Sequence, residues 1–118
     1  MVPSKRAVRL GDVILREIAT ILLEKTKDPR VKGVTLTGIE LSNDLKSARV
    51  FFSTMGEADA IRRAQSGVDS AKGFIKREIA ARMELRYVPE ISFIHDPTLQ
   101  HADHMESLFD EIRKKDNS

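Results

Sequence analysis

An α+β layer fold with elements in the order α-β-β-α-α-β-α is what the sequence predicts, and three observations predict it. Helical and two-residue apolar periods succeed one another along the chain, with no internal repeat and no low-complexity run. Turn-forming clusters stand where the period changes: Asp28-Pro29 to Gly33, Ser42-Asn43-Asp44-Leu45, Met55-Gly56 and Val88-Pro89. At 118 residues the chain has the size of one ordinary domain, spanning 1–118 with a core of about 5–112, and a domain of that size buries a core without disulfides.

Ser4 or a neighbour caps a first helix running to about Lys27, with Val8, Ile14, Ile18, Ile21 and Leu22 at core spacing. Gly11 interrupts that pattern, so the turns around Lys5, Arg6 and Arg9 are expected to fray or bend away. Asp28-Pro29 ends the helix, and the stiff loop to Gly33 presents Arg30 and Lys32. Val34 to Leu41 alternates, slips phase at Gly38 and resumes, which predicts a β-bulge there. Ser47 to Ser53 returns as the second strand of a hairpin, with Ala48, Val50 and Phe52 on one face.

Glu57 to Asp69 resumes a helical period, with Ala58, Ile61, Ala64 and Val68 inward. Ser70 to Pro89 forms a second, basic helical segment on the stripe Ala71, Ile75, Ile79 and Met83. Gly67, Ser70 and Gly73 crowd the junction of the two, and a glycine inside a helix costs about 1 kcal/mol relative to alanine, so Gly73 predicts a kink. Pro89 closes the segment, Glu90 to His95 reads as the third strand, and Gln100 to about Lys115 as a last amphipathic helix with acids outside.

Composition narrows the function. The chain has no Cys, so it builds neither a disulfide framework nor a thiolate metal cage. No apolar run approaches the ~20 residues that span a bilayer, and Met1 to Arg6 lead into no uninterrupted apolar core. A soluble, cytoplasmic, monomeric protein without a membrane partner is expected. Aromatic residues make up 5% and Trp is absent, which supplies a base-stacking platform poorly.

The net charge of +2 hides a bipolar chain. Residues 1–33 hold eight cations and four acids, and residues 70–89 hold five and two. Residues 90–118 reverse the balance, with three cations and seven acids. Basic segments suit a nucleic-acid backbone. The candidate phosphate contacts are Lys72, Lys76, Arg77, Arg82 and Arg86, with Arg6, Arg9, Arg30 and Lys32 behind them and Arg49 weaker still. Arg82 has a local alternative, Glu78 four residues before it, and both Arg82 and Arg86 project toward the apolar stripe. Gly73 suits either direct RNA approach or the close packing of two helices.

His101, His104 and Asp103 lack the third ligand on another element and the supporting hydrogen bonds that a metal site needs, so neither metal nor cofactor is expected. No nucleophile stands with a base to activate it, which points away from an enzyme. Two rivals to RNA binding are a metal-dependent nuclease using Asp96, His101 and His104 on rRNA precursors, and a protein-interaction module using the acidic C-terminal helix.

The element order, with a basic helix pair before the third strand, matches KH-type RNA-binding modules, except that no GXXG tetrapeptide lies between Glu57 and Pro89. Ala71-Lys72-Gly73 stands in its place. That word resembles the bacterial ribosome-binding factor A family, as do Lys27-Asp28-Pro29-Arg30, Ser42-Asn43-Asp44-Leu45 followed by Ala48, and Leu85-Arg86-Tyr87-Val88-Pro89-Glu90-Ile91-Ser92-Phe93 with Asp96. The match runs over roughly residues 5 to 112. The resemblance implies a KH-like domain with an Ala-x-Gly kink that binds the free small ribosomal subunit, or its precursor, during late maturation and processing of 16S rRNA. It also implies RNA contact through the helix pair, release by another assembly factor, and a part in cold adaptation.

Overall fold

The structure is a computed structural model and describes residues 4–96. The elements are α1 (Lys5–Glu24), β1 (Val34–Leu41), β2 (Ser47–Thr54), α2 (Ala58–Met83) and β3 (Glu90–His95), with a single 3-10 turn at Pro29–Val31. The last predicted helix, Gln100 to Lys115, lies outside the described residues.

The three strands form one sheet in the order β1-β2-β3. β1 and β2 pair antiparallel through the Ser42–Lys46 turn, whereas β2 and β3 are parallel. A parallel pair needs a long crossover, and α2 supplies it. Side chains from β2 and β3, chiefly Val50, Phe52, Ile91 and Phe93, meet Ile14, Ile18 and Ile21 of α1 and Val68, Ile75 and Ile79 of α2 in one buried cluster.

The predicted bulge is present. The β1–β2 register shifts between Leu36 and Gly38, so Thr37 is the extra residue, and its hydroxyl donates to Asp96 Oδ2 at 3.0 Å. The Ser42–Lys46 turn is closed by its own side chains. Asp44 Oδ1 accepts from Ser42 Oγ at 2.6 Å and from the Lys46 N–H at 3.0 Å. Leu45 pays for that tightness with a left-handed backbone, φ 64°.

Expectations for α1 are corrected first. The first turns of α1 do not fray: Ser4 Oγ accepts from the Ala7 N–H at 3.1 Å, the Ser4 N–H donates to Asn43 Oδ1 at 2.9 Å, and Ala7 is buried. Gly11 is a point of close approach, since a Cβ there would stand 3.3 Å from Ile39 Cγ2. That approach rotates α1 so that Val8 faces outward and Ala7 takes its place inside. α1 stops at Glu24, three residues short of Lys27.

The two helical segments after β2 are one unbroken helix of 26 residues. Ser70 and Gly73 lie within it, so any bend at Ala71–Gly73 is one inside a continuous helix. α2 also ends earlier than Pro89 requires, at Met83, where Glu84 turns left-handed at φ 52°. At its beginning Ala58 is exposed and Ile61 only half-buried, so the inward face starts at Ala64.

Candidate nucleic-acid interface

Helical arithmetic places the cations of α2. Ala71, Ile75 and Ile79 point into the core, which turns Gly73 and Arg77 outward and sets Lys72 and Lys76 along the side nearest β3. The structure bears this out in contacts. Lys72 Nζ lies 3.5 Å from Asp69 Oδ1, one turn back, and Lys76 Nζ lies 2.5 Å from Glu90 Oε1 at the start of β3. Both lysines are half-buried along their stems, with amines at the surface.

Gly73 is exposed, and a Cβ built there would meet only the Arg77 guanidinium, at 3.5 Å. Its packing role is therefore absent among the described residues. On α2 the glycine that brings elements together is Gly67, as Gly11 does on α1. A Cβ at that position would stand 2.8 Å from Arg30 Cβ and 2.9 Å from Val31 Cγ1, so α2 sits directly on the Pro29–Val31 turn. Sequence reasoning grouped Gly67 with Gly73, because spacing alone does not tell which glycine faces a neighbour.

The candidate cations divide into two sets. In the first are those already held by acids. Arg30 does not project outward: its Nε and Nη2 donate to the Asp28 carboxylate at 3.0 and 2.6 Å, and its Nη1 to Ser66 Oγ at 3.0 Å. That grip holds the Asp28 carboxyl below the usual range and raises the Arg30 guanidinium. Arg82 spans two helices, with Nη1 3.3 Å from Glu17 Oε2 and Nε 3.5 Å from Glu78 Oε2, so it ties α2 to α1. Arg49 pairs with Glu40 on the neighbouring strand and lies 5.9 Å from the Phe51 ring centroid.

In the second set no described acid comes within ion-pair distance. It comprises Arg6, Arg9, Lys32, Arg77 and Arg86. Lys25, Lys27 and Arg63, which the sequence reading did not single out, share that condition. Lys25 and Lys27 line a hollow with Gly67, Ser70, Ala71 and Phe74, next to the Ala71–Gly73 stretch. Only the folded arrangement reveals this, because the end of α1 and the middle of α2 are more than forty residues apart in the chain.

Asp96 of the nuclease alternative accepts from Thr37, and His101 and His104 lie outside the described residues. Among the described residues no cluster of His, Cys, Asp and Glu suits a metal ion, and no helix is long and apolar enough to cross a membrane.

The Lys76–Glu90 contact gives a pH dependence. The hydrogen bond from Lys76 lowers the Glu90 pKa, so the contact stabilises above the ordinary glutamate range and is lost as pH falls through the lowered folded value. Glu90→Gln is expected to lower the melting temperature slightly at neutral pH and to leave it unchanged well below the ordinary glutamate range, so the acid limb of a plot of melting temperature against pH becomes shallower.

A three-stranded sheet covered by α1 and a long helix places the chain in the KH-like class of α+β domains, with Ala71-Lys72-Gly73 where GXXG usually stands. Within it, the family model for ribosome-binding factor A matches residues 6–109. The chain belongs to that family, one of ribosome-binding factors and not of catalysts. Ribosome-binding factor A from Syntrophobacter fumaroxidans is 43% identical over 114 residues, covering 95% of this chain and 97% of the relative. A solution structure from Thermotoga maritima is 32% identical, with a TM-score of 0.68 over 80% of this chain and 90% of that one. The Thermus thermophilus ribosome-binding factor A, fitted as a homology model into a cryo-EM map of a 30S complex, matches at a TM-score of 0.64 and 21% identity over 77% and 96%. Neither the nuclease nor the protein-interaction alternative gains support from these matches.

Proposed function

We propose that residues 1–118 act as one KH-like RNA-binding domain that docks on the free small ribosomal subunit or its precursor in the cytoplasm. There it assists late maturation and processing of 16S rRNA, as a monomer and without catalysis. The observation that carries this reading is the bare outer line of α2. Gly73 leaves the helix backbone open, Arg77 lies over it, and Lys72 and Lys76 flank it on the β3 side. A phosphate chain can come close to a helix at such a place, where a side chain would hold it off.

The fit of the Thermus thermophilus ribosome-binding factor A into a map of a 30S complex supports the choice of partner. The mechanism is steric. A protein that occupies an immature rRNA conformation biases folding toward the mature one, and another assembly factor then releases it. A part in cold adaptation fits this mechanism, because misfolded RNA escapes more slowly when cold.

Sedimentation with ribosomal particles at two salt concentrations tests the proposal. The protein is expected to travel with free small subunits at 50 mM salt and to lose most of that attachment by about 200 mM, following counterion release. Absence from the small-subunit fraction at the lower salt would overturn it.

A further inference from the structure

A second concave surface lies at the other end of α2, about 15 Å of helix beyond Gly73. It is a cleft of about 720 Å³ between the start of α1, the β1–β2 turn and the segment after α2. Exposed Arg6, Lys46 and Arg86 line it, over half-buried Leu10, Leu85 and Val88. Tyr87 stands in the same cleft, 77% exposed, with the Arg86 guanidinium 5.6 Å from its ring centroid.

Three properties converge there. Three cations face one acid, Asp44, whose carboxylate already accepts from Ser42 and the Lys46 backbone. An exposed ring beside an apolar floor is a costly arrangement for water to cover, and it matches the face of a base. Of the two non-glycine residues with left-handed backbones among the described residues, Leu45 lines the cleft and Glu84 immediately precedes the lining segment 85–89. Leu45 closes the β1–β2 turn and Glu84 ends α2, so both neighbouring segments are held in place beside the cleft.

We propose that this cleft takes one unpaired nucleotide of an RNA strand, with the base stacked on Tyr87 and its phosphate held by Arg6 and Arg86. The low aromatic content excludes a platform for many bases but leaves room for this single ring. The inference rests on the RNA-binding reading above and adds a contact separate from the Ala71–Gly73 face.

Tyr87 is the only tyrosine of the chain, so incorporated 3-fluorotyrosine gives a single 19F resonance from the cleft itself. The probes are a ten-nucleotide single-stranded RNA and the same strand in a perfect duplex, at equal salt. The resonance is expected to shift with the single strand and to stay with the duplex. Tyr87→Ala, at an exposed position that leaves the fold intact, is expected to weaken single-strand binding about tenfold and duplex binding less than twofold, while Tyr87→Phe retains both. A resonance that ignores the single strand, or that shifts equally with both RNAs, would overturn the nucleotide site. If the unlabelled protein still sediments with small subunits in that case, the docking proposal stands; if it does not, both fall.

Discussion

Gly67→Val is expected to lower stability by about 2–3 kcal/mol, seen as a fall in melting temperature of roughly 10 °C. The cause is contact with atoms that cannot swing aside. Arg30 Cβ and Val31 Cγ1 would lie within 3 Å of the new Cβ, and the Arg30 carbonyl carbon at 3.4 Å stands behind them. The Pro29–Val31 turn is itself pinned by the Asp28 cap and by the Arg30 bonds to Asp28 and Ser66. It therefore has little freedom to retreat. Gly73→Ala makes the opposite change six residues along the same helix. Its Cβ meets only a movable guanidinium, so the gain in helix propensity is expected to raise stability by about 0.5–1 kcal/mol. If Gly73→Ala stabilises the protein yet weakens its attachment to small subunits, the glycine serves RNA and not the fold. Equal destabilisation by the two substitutions would refute this division of roles.

Lys72→Glu combined with Lys76→Glu is the second large effect. Each ammonium that neutralises a phosphate contributes about 0.9 to the salt slope, so removing two is expected to flatten that slope by about 2 and to weaken attachment about 100-fold at 50 mM salt. The new glutamates would also face Asp69 and Glu90, adding repulsion to the loss. Arg49→Glu, on the sheet and away from this face, serves as the control and is expected to change attachment less than twofold. A thermal melt of each variant separates a lost contact from a lost fold. Attachment that survives the double reversal unchanged would remove α2 from the interface.

The fold was readable because periodicity and punctuation agree along most of the chain. Ala48, Val50 and Phe52 alternate, Ile91 and Phe93 alternate, and the phase slip at Gly38 marks a real shift in register. The reading fails where one residue type has two physical meanings. Gly11, Gly67 and Gly73 all lie inside helices and look alike in a sequence, yet the first two admit a strand and a turn, while the third faces outward. Helix continuity through Ser70 was illegible for the same reason: local propensity argues for a break, and burial of Ala64, Val68, Ala71 and Ile75 on one stripe overrides it.

The candidate site was legible by charge and illegible by partnership. Five cations in residues 70–89 are visible in any count, and Asp69 one turn before Lys72 is a visible partner that the charge count passed over, whereas Glu90 is on another element and its hold on Lys76 appears only in three dimensions. Arg82 had a visible partner in Glu78 and a hidden one in Glu17. Val88-Pro89 announced a turn, and Tyr87 stood out only as part of a family word, because nothing in the sequence says that the Ser42–Lys46 turn and the start of α1 close around it.

The carboxylates beneath Lys72 and Lys76 have a bearing on departure. Under the proposed docking, each ammonium trades an acid for a phosphate, and the charges of Asp69, still bonded to the Gln65 amide, and Glu90 are left uncompensated beside the polyanion that displaced them. Their repulsion caps the grip of this face and speeds letting go. A temporary occupant of an unfinished particle is served by such a brake on its own adhesion, where a lysine with no acid beside it would cling longer.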